Sequence, residues 1–168
     1  KTDVNIVKTE IAVLKKLNHP NVVKLLEVID DPEQDKIYLV FEFIDGGELL
    51  SLSSDGNANG ESFTEIEARA CFRQLIMALE YLHDNNIIHR DIKPSNCLLS
   101  KDGILKVSDF GVSKYVEDEN NLFTDSEGTP AFLPPESCGK QGFRGKPADI
   151  WASGVTLFTM IYGELPFK

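Results

Sequence analysis

The chain predicts an α+β fold: a helix and two strands first, then a longer, mostly helical unit. Three observations carry this. The runs "VVKLLEVID" and "KIYLVFEF" are β-branched and aromatic and flank the polar turn "DPEQD", so they read as antiparallel strands. Ala68, Phe72, Leu75, Leu79 and Leu82 recur at steps of 4, 3, 4 and 3, which places them on one helical face. The run "IWASGVTLFTMIYG" is apolar nearly all round, as in a helix buried at the centre of a helical layer.

The remaining elements follow in chain order. Val7, Ile11 and Leu14 share a helical face, so the spacing predicts an amphipathic helix over about residues 4–17. It stops at "NHPN", where Pro20 excludes continuation. "SLSSDGNANGES", Ser51 to Ser62, is a polar loop of low complexity. Thr64 followed by Glu67 has capping-box spacing and opens the helix that ends near "HDNN". "CLLS" and "ILKVSD" read as short strands around the turn "KDG". Residues 109–136 have no period, and so long a segment without elements inside a domain is usually functional or disordered. Pro147 is expected to open the last helix and Gly163 to close it.

Composition narrows the function. With 168 residues, 42% hydrophobic and 26% charged, the chain can bury one real core. A formal net charge of −10 argues against nucleic acid or an anionic membrane surface as the default partner. Cys71, Cys97 and Cys138 form no C-x-x-C pair, which speaks against a structural disulfide or zinc site and for a reducing compartment. The most apolar run is too short to span a bilayer. The opening "KTDVNIVKTEIAVL" is no signal peptide and reads as the interior of something larger.

"IIHRDIKPSNCLL" places dense charge between greasy flanks. Alone, His89-Arg90-Asp91 is an ordinary surface turn. Lys93 and Asn96 extend it to H-R-D-x-K-x-x-N, Asp109-Phe110-Gly111 follows, and Gly128-Thr129-Pro130 and Pro134-Pro135-Glu136 close the aperiodic segment. In that order and spacing the set is specific, and it resembles the catalytic core of a eukaryotic protein kinase along nearly the whole chain. The resemblance implies a partial two-lobe fold, with a small-lobe remnant at 1–43 and the hinge and an incomplete large lobe at 44–168. It implies ATP and Mg²⁺ as cofactors. Phosphoryl transfer needs positioning and charge neutralisation, and Mg²⁺ prefers oxygen ligands, so carboxylates and an amide suit the task.

By the same resemblance, Asp91 accepts the proton of the substrate hydroxyl, Lys93 puts positive charge near the γ-phosphate, and Asn96 and Asp109 ligate the metal. Glu10 resembles the helix glutamate that pairs with the phosphate-holding lysine. "LVFEFIDGGE" resembles the hinge, with Phe41 as gatekeeper, the backbone of Glu42 and Ile44 bonding adenine, Leu98 beneath the ring and Glu48 near the ribose. His89 is expected to be a packing residue, stacked with Phe110, Leu14 and Leu25, rather than a base or a metal ligand. Asp149, otherwise a carboxylate at a helix start, is expected to bond the backbone of the catalytic loop. Arg90, Lys114, Thr124, Asp125, Thr129 and Glu136 belong to the activation segment or meet it.

Lys93 and Thr129 resemble serine/threonine rather than tyrosine kinases. "DFGVSKYVED" and "GTPAF" are similar to the calcium/calmodulin-dependent protein kinase kinases. That likeness implies a cytoplasmic enzyme whose substrate is the activation loop of another kinase, with calmodulin a partner only through regions not present here. Two features depart from the family pattern. No glycine-rich loop or nucleotide-binding lysine precedes the first helix, since Lys1 and Lys8 lie too close to Glu10, and the chain stops at "LPFK". The 168 residues are therefore expected to be an internal piece with little phosphotransfer activity of its own. Asp125 stands four positions before Thr129, where many relatives carry a phosphorylated residue. It is expected to substitute in part for the phosphate by meeting Arg90 and Lys114; the alternative is that Thr124 is the switch. The competing function is a pseudokinase-like scaffold or allosteric partner, which the retained Asp91, Lys93, Asn96 and Asp109 disfavour.

Overall fold

The computed structural model describes residues 11–34, 36–116, 118 and 121–167. Residues 11–14 form a helical turn that tightens over 15–17 before Pro20, and the earlier part of the expected helix lies outside the described residues. β1 (Leu25–Asp31) and β2 (Lys36–Phe41) then pair antiparallel, with an irregularity between Leu25 and Glu27.

Helix α1 (Glu65–Asp84) starts at the expected cap. The Thr64 hydroxyl accepts the Glu67 N–H at 3.4 Å, and the Glu67 carboxylate accepts the Thr64 N–H at 2.9 Å. Thr64→Ala should lower stability by about 1 kcal/mol. In a thermal melt that is a fall in Tm of about 2–4 °C. The buried face is Ala68, Cys71, Leu75, Ala78, Leu79 and Leu82; Phe72, expected in that stripe, is half-buried at its margin.

α1 packs against helix α2 (Gly145–Tyr162), whose Ala152, Val155 and Met160 join the same core. β4 (Cys97–Leu99) and β5 (Leu105–Val107) form the predicted hairpin, with Leu98 opposite Lys106. Leu105 and Val107 seal the core from that side. β5 also lies beside residues 21–23, through Val23 N–H to the Val107 carbonyl and Val107 N–H to the Asn21 carbonyl.

Three expectations are corrected. α2 begins at Gly145, not Pro147; proline sits within the first turn, where N–H groups lack helical partners anyway. Nor is α2 enclosed. Among the described residues Ile150 is half-exposed, and Ile150, Trp151, Gly154, Phe158 and Phe167 line an apolar groove of about 320 Å³. The aperiodic segment contains two short strands. β6 (Lys114–Tyr115) pairs with β3 (Ile87–Ile88), and β7 (Leu122–Phe123) pairs with β8 (Phe143–Arg144). Around them Ile88, Val116, Phe123, Phe143 and Ala148 form a second, smaller core.

The polar loop Ser51–Ser62 is tied to the end of α2. The Ala58 and Phe63 N–H groups donate to the Gly163 and Met160 carbonyls at 2.8 Å, and the Leu165 N–H donates to the Gly56 carbonyl. The first two satisfy carbonyls that a helix C-terminus leaves open. Gly163 turns the chain there at φ +68°, as expected.

Candidate active site

The catalytic-type residues are positioned by backbone geometry first. Arg90 and Asp109 both adopt left-handed conformations, φ +70° and +61°, which cost a residue with a Cβ about 1–2 kcal/mol each. Asp149, 1% exposed at the start of α2, holds the first of them. Its Oδ1 accepts the Arg90 N–H at 2.8 Å and its Oδ2 accepts the His89 N–H at 2.9 Å. Oδ2 also meets His83 Nε2 at 2.8 Å. Sequence reading missed His83; its signal was a lone imidazole on the last turn of α1, six residues before His89.

His89 is fully buried, with its ring 5.1 Å from that of Phe110 at 63°. Nε2 donates to the Ser108 carbonyl and Nδ1 accepts the Asp91 N–H, so both ring nitrogens are committed. Burial lowers its pKa and keeps the imidazole neutral. Leu14, Leu25 and Phe110 belong to the one main core cluster. His89 is thus buried beside Phe110 with both ring nitrogens bonded.

Asp91 is the centre of the site. Its Oδ1 accepts the Thr129 hydroxyl at 2.7 Å; its Oδ2 accepts Asn96 Nδ2 at 2.9 Å and lies 2.9 Å from Lys93 Nζ. Lys93 in turn donates to Thr129 Oγ1 at 2.8 Å, which closes the network. Half-burial pushes the Asp91 carboxyl up, but the bonds from Lys93, Thr129 and Asn96 outweigh it and hold the group below the ordinary aspartate value. Thr129 reaches Asp91 only because Gly128 precedes it at φ +112°, where a Cβ would stand 2.5 Å from the Arg90 carbonyl oxygen.

Asn96 spends its amide on Asp91, donating to the backbone carbonyl at 2.8 Å as well as to the carboxylate. Its Oδ1 is the acceptor left over. The Ser108 N–H bonds the Asn96 carbonyl at 2.9 Å, so the exposed carboxylate of Asp109 follows one residue after that junction. An amide oxygen and a carboxylate are hard donors, the kind Mg²⁺ prefers. Among the described residues no group of three or more His, Cys, Asp or Glu gathers as a metal site.

The hinge-like residues come next to this loop. Phe41 ends β2, half-buried against the main core. Neither the Glu42 carbonyl nor the Ile44 N–H forms a backbone hydrogen bond among the described residues. Glu48 is exposed and bridges Leu98 of β4. Glu10 lies outside the described residues.

In the activation segment, Arg90 forms an ion pair with Asp125, and Lys114 Nζ stands 3.9 Å from the other Asp125 oxygen. The sequence reading did not anticipate Glu127, which accepts Arg90 Nη1 at 2.9 Å, or Phe123, whose ring lies 4.5 Å below the guanidinium. Thr124 is exposed. Glu136 is exposed in a short 3₁₀ turn, with no ion pair among the described residues. The three cysteines are free, and burial pushes the Cys97 thiol up to about 12. No helix among the described residues is long and apolar enough to cross a membrane.

Comparison with known proteins identifies the family. The family model "Protein kinase domain" matches residues 1–168. The chain is 45% identical over 160 residues to a probable serine/threonine-protein kinase of Dictyostelium discoideum, covering 94% of this chain and 22% of that protein. It is 45% identical to a calcium/calmodulin-dependent protein kinase kinase of Caenorhabditis elegans, covering 96% and 30%. It is 47% identical to the serine/threonine-protein kinase ssp1 of Schizosaccharomyces pombe, covering 96% and 26%. The chain thus spans under a third of the length of these three relatives, and it belongs to the protein kinase domain family.

Proposed function

We propose that the chain is part of a serine/threonine protein kinase that phosphorylates the activation loop of another kinase. The observation that carries this is the Asp91 carboxylate held at once by Lys93, Asn96 and Thr129. Asp91, ionised and fixed on both oxygens, takes the proton of the incoming serine or threonine hydroxyl. Lys93 sets a positive charge beside it. When bound, magnesium–ATP supplies the phosphoryl group and neutralises its charge; Asn96 Oδ1 and Asp109 are the oxygens to hold the metal. The Glu42 carbonyl and Ile44 N–H receive adenine, with Leu98 beneath, Phe41 behind and Glu48 towards the ribose. The lobes divide at 43/44.

The substrate class rests on the name of the Caenorhabditis elegans relative, which describes a kinase of a kinase. Calmodulin enters this reading only through regions outside the 168 residues. The proposed compartment is the cytoplasm, which the free thiols suit.

In this reading the activation segment is held by charge in the chain itself, since Arg90 meets both Asp125 and Glu127. Both carboxylates are partly exposed, so each contributes modestly. The test uses the whole protein with labelled ATP and a catalytically inactive kinase as acceptor, the product being mapped by mass spectrometry. Label is expected on an activation-loop serine or threonine and should vanish on magnesium chelation. Asp125→Ala and Glu127→Ala should each lower kcat a few-fold, about what a loss near 1 kcal/mol gives. Nucleotide binding without transfer would assign a scaffold role instead. Unchanged activity in Asp125→Ala beside an inactive Thr124→Ala would make Thr124 the switch.

A further inference from the structure

Three segments meet at Glu42. Its N–H donates to the Lys24 carbonyl at 3.0 Å, and its Oε1 accepts both the Lys24 N–H and the Lys106 ammonium at 2.8 Å. Lys24 leads into β1, Glu42 leaves β2, and Lys106 stands in β5 opposite Leu98. Alternation along β5 frees Lys106 for this contact: Leu105 and Val107 are fully buried on the inner face, so Lys106 points the other way. Residues 42–44 belong to no strand, and the Glu42 N–H bond is their one backbone hydrogen bond among the described residues. Burial pushes the Glu42 carboxyl up, but Lys106 and the Lys24 N–H outweigh it and keep the group below the ordinary glutamate value. The pair is ionic at neutral pH. Being partly exposed, it adds little to global stability, and its consequence is local.

We infer that Lys106 is a positioning residue for the adenine edge: through Glu42 it ties residues 42–44 to the β4/β5 hairpin, fixing the Glu42 carbonyl and Ile44 N–H relative to Leu98. The inference rests on the reading that these backbone groups receive adenine. A polar edge ordered before the ligand arrives loses less conformational entropy on binding.

The experiment measures adenosine and ADP binding by calorimetry on the whole protein, with steady-state kinetics alongside. Lys106→Met and Glu42→Gln should each weaken both ligands by the same factor, about fivefold. For Lys106→Met the KM for ATP should rise while kcat at saturating ATP moves by less than about twofold, the signature of lost uniform binding. Lys106→Arg keeps the charge and should restore most of the affinity. The double variant should be no weaker than either single one. Adenosine binding by Lys106→Met equal to that of the wild type overturns the inference. So does a loss confined to ADP, which would put Lys106 at the phosphates. A wild-type protein that binds neither ligand overturns the adenine reading, and this inference with it.

Discussion

Asp91→Asn is expected to lower kcat by roughly 10²–10⁴-fold, the range for removing a general base, while ATP affinity stays near the wild-type value. The asparagine keeps the shape of the side chain but cannot take a proton. It also replaces one of two acceptor oxygens with a donor, although Thr129, Asn96 and Lys93 all require acceptors at that side chain. Steady-state kinetics with a protein substrate read the effect, and turnover at the wild-type rate would mean the proton leaves by another route. The same network sets an acid dependence. Because the Asp91 carboxyl is held below its ordinary value, the base stays ionised well into the acid range. The acid limb of kcat/KM assigned to it should therefore fall below the unperturbed aspartate value of about 3.9. For stability the sign is the depressed-carboxylate one: its contribution is full above the unfolded pKa and is lost as pH falls through the lower folded pKa. A urea series between pH 3 and 6 should accordingly show a flatter acid slope for Asp91→Asn than for the wild type.

Asp149→Ala is the substitution expected to damage the fold most. Three donors converge on this buried carboxylate: the N–H groups of His89 and Arg90, and His83 Nε2. Removing the acceptor strands the His89 and Arg90 N–H groups in the interior and leaves His83 without its partner. A loss of about 3–5 kcal/mol follows, against a total stability on the order of 5–15 kcal/mol. Asp149→Asn retains one oxygen and should fall between wild type and alanine. Urea midpoints for the three proteins test this order. An alanine variant as stable as the wild type would mean that the 89–90 backbone is held by something else. Arg90 gives the fold effect a functional side. Its left-handed backbone is fixed by Asp149 while its guanidinium reaches Asp125 and Glu127, so releasing one end disturbs the other.

Local patterns located most elements because each reports physics within a few residues. The capping box at Thr64, the α1 stripe and the "KDG" hairpin were legible on that ground. The surroundings of α2 and the strands β6 and β7 were not. The apolar circumference of α2 says that its faces avoid water, not which neighbour covers them, and Ile150 and Trp151 line an open groove among the described residues. β6 and β7 have two residues each, too short for any period, and their partners Ile87–Ile88 and Phe143–Arg144 lie about twenty or more residues away.

The candidate site divides the same way. The order and spacing of the motifs carried the family resemblance, and the resemblance proposed the residue types for the chemistry and a backbone role for Asp149, because motif order is a one-dimensional fact. That both His89 nitrogens are committed, that His83 joins Asp149, and that Glu127 and Phe123 share Arg90 with Asp125 were decided only in three dimensions. Lys106 shows why. In sequence it is a lysine in a short strand, and only the antiparallel register that sets it opposite Leu98, with Glu42 2.8 Å away, gives its charge a partner. Pairing between distant segments depends on how loops close and faces pack, and no local spacing encodes it.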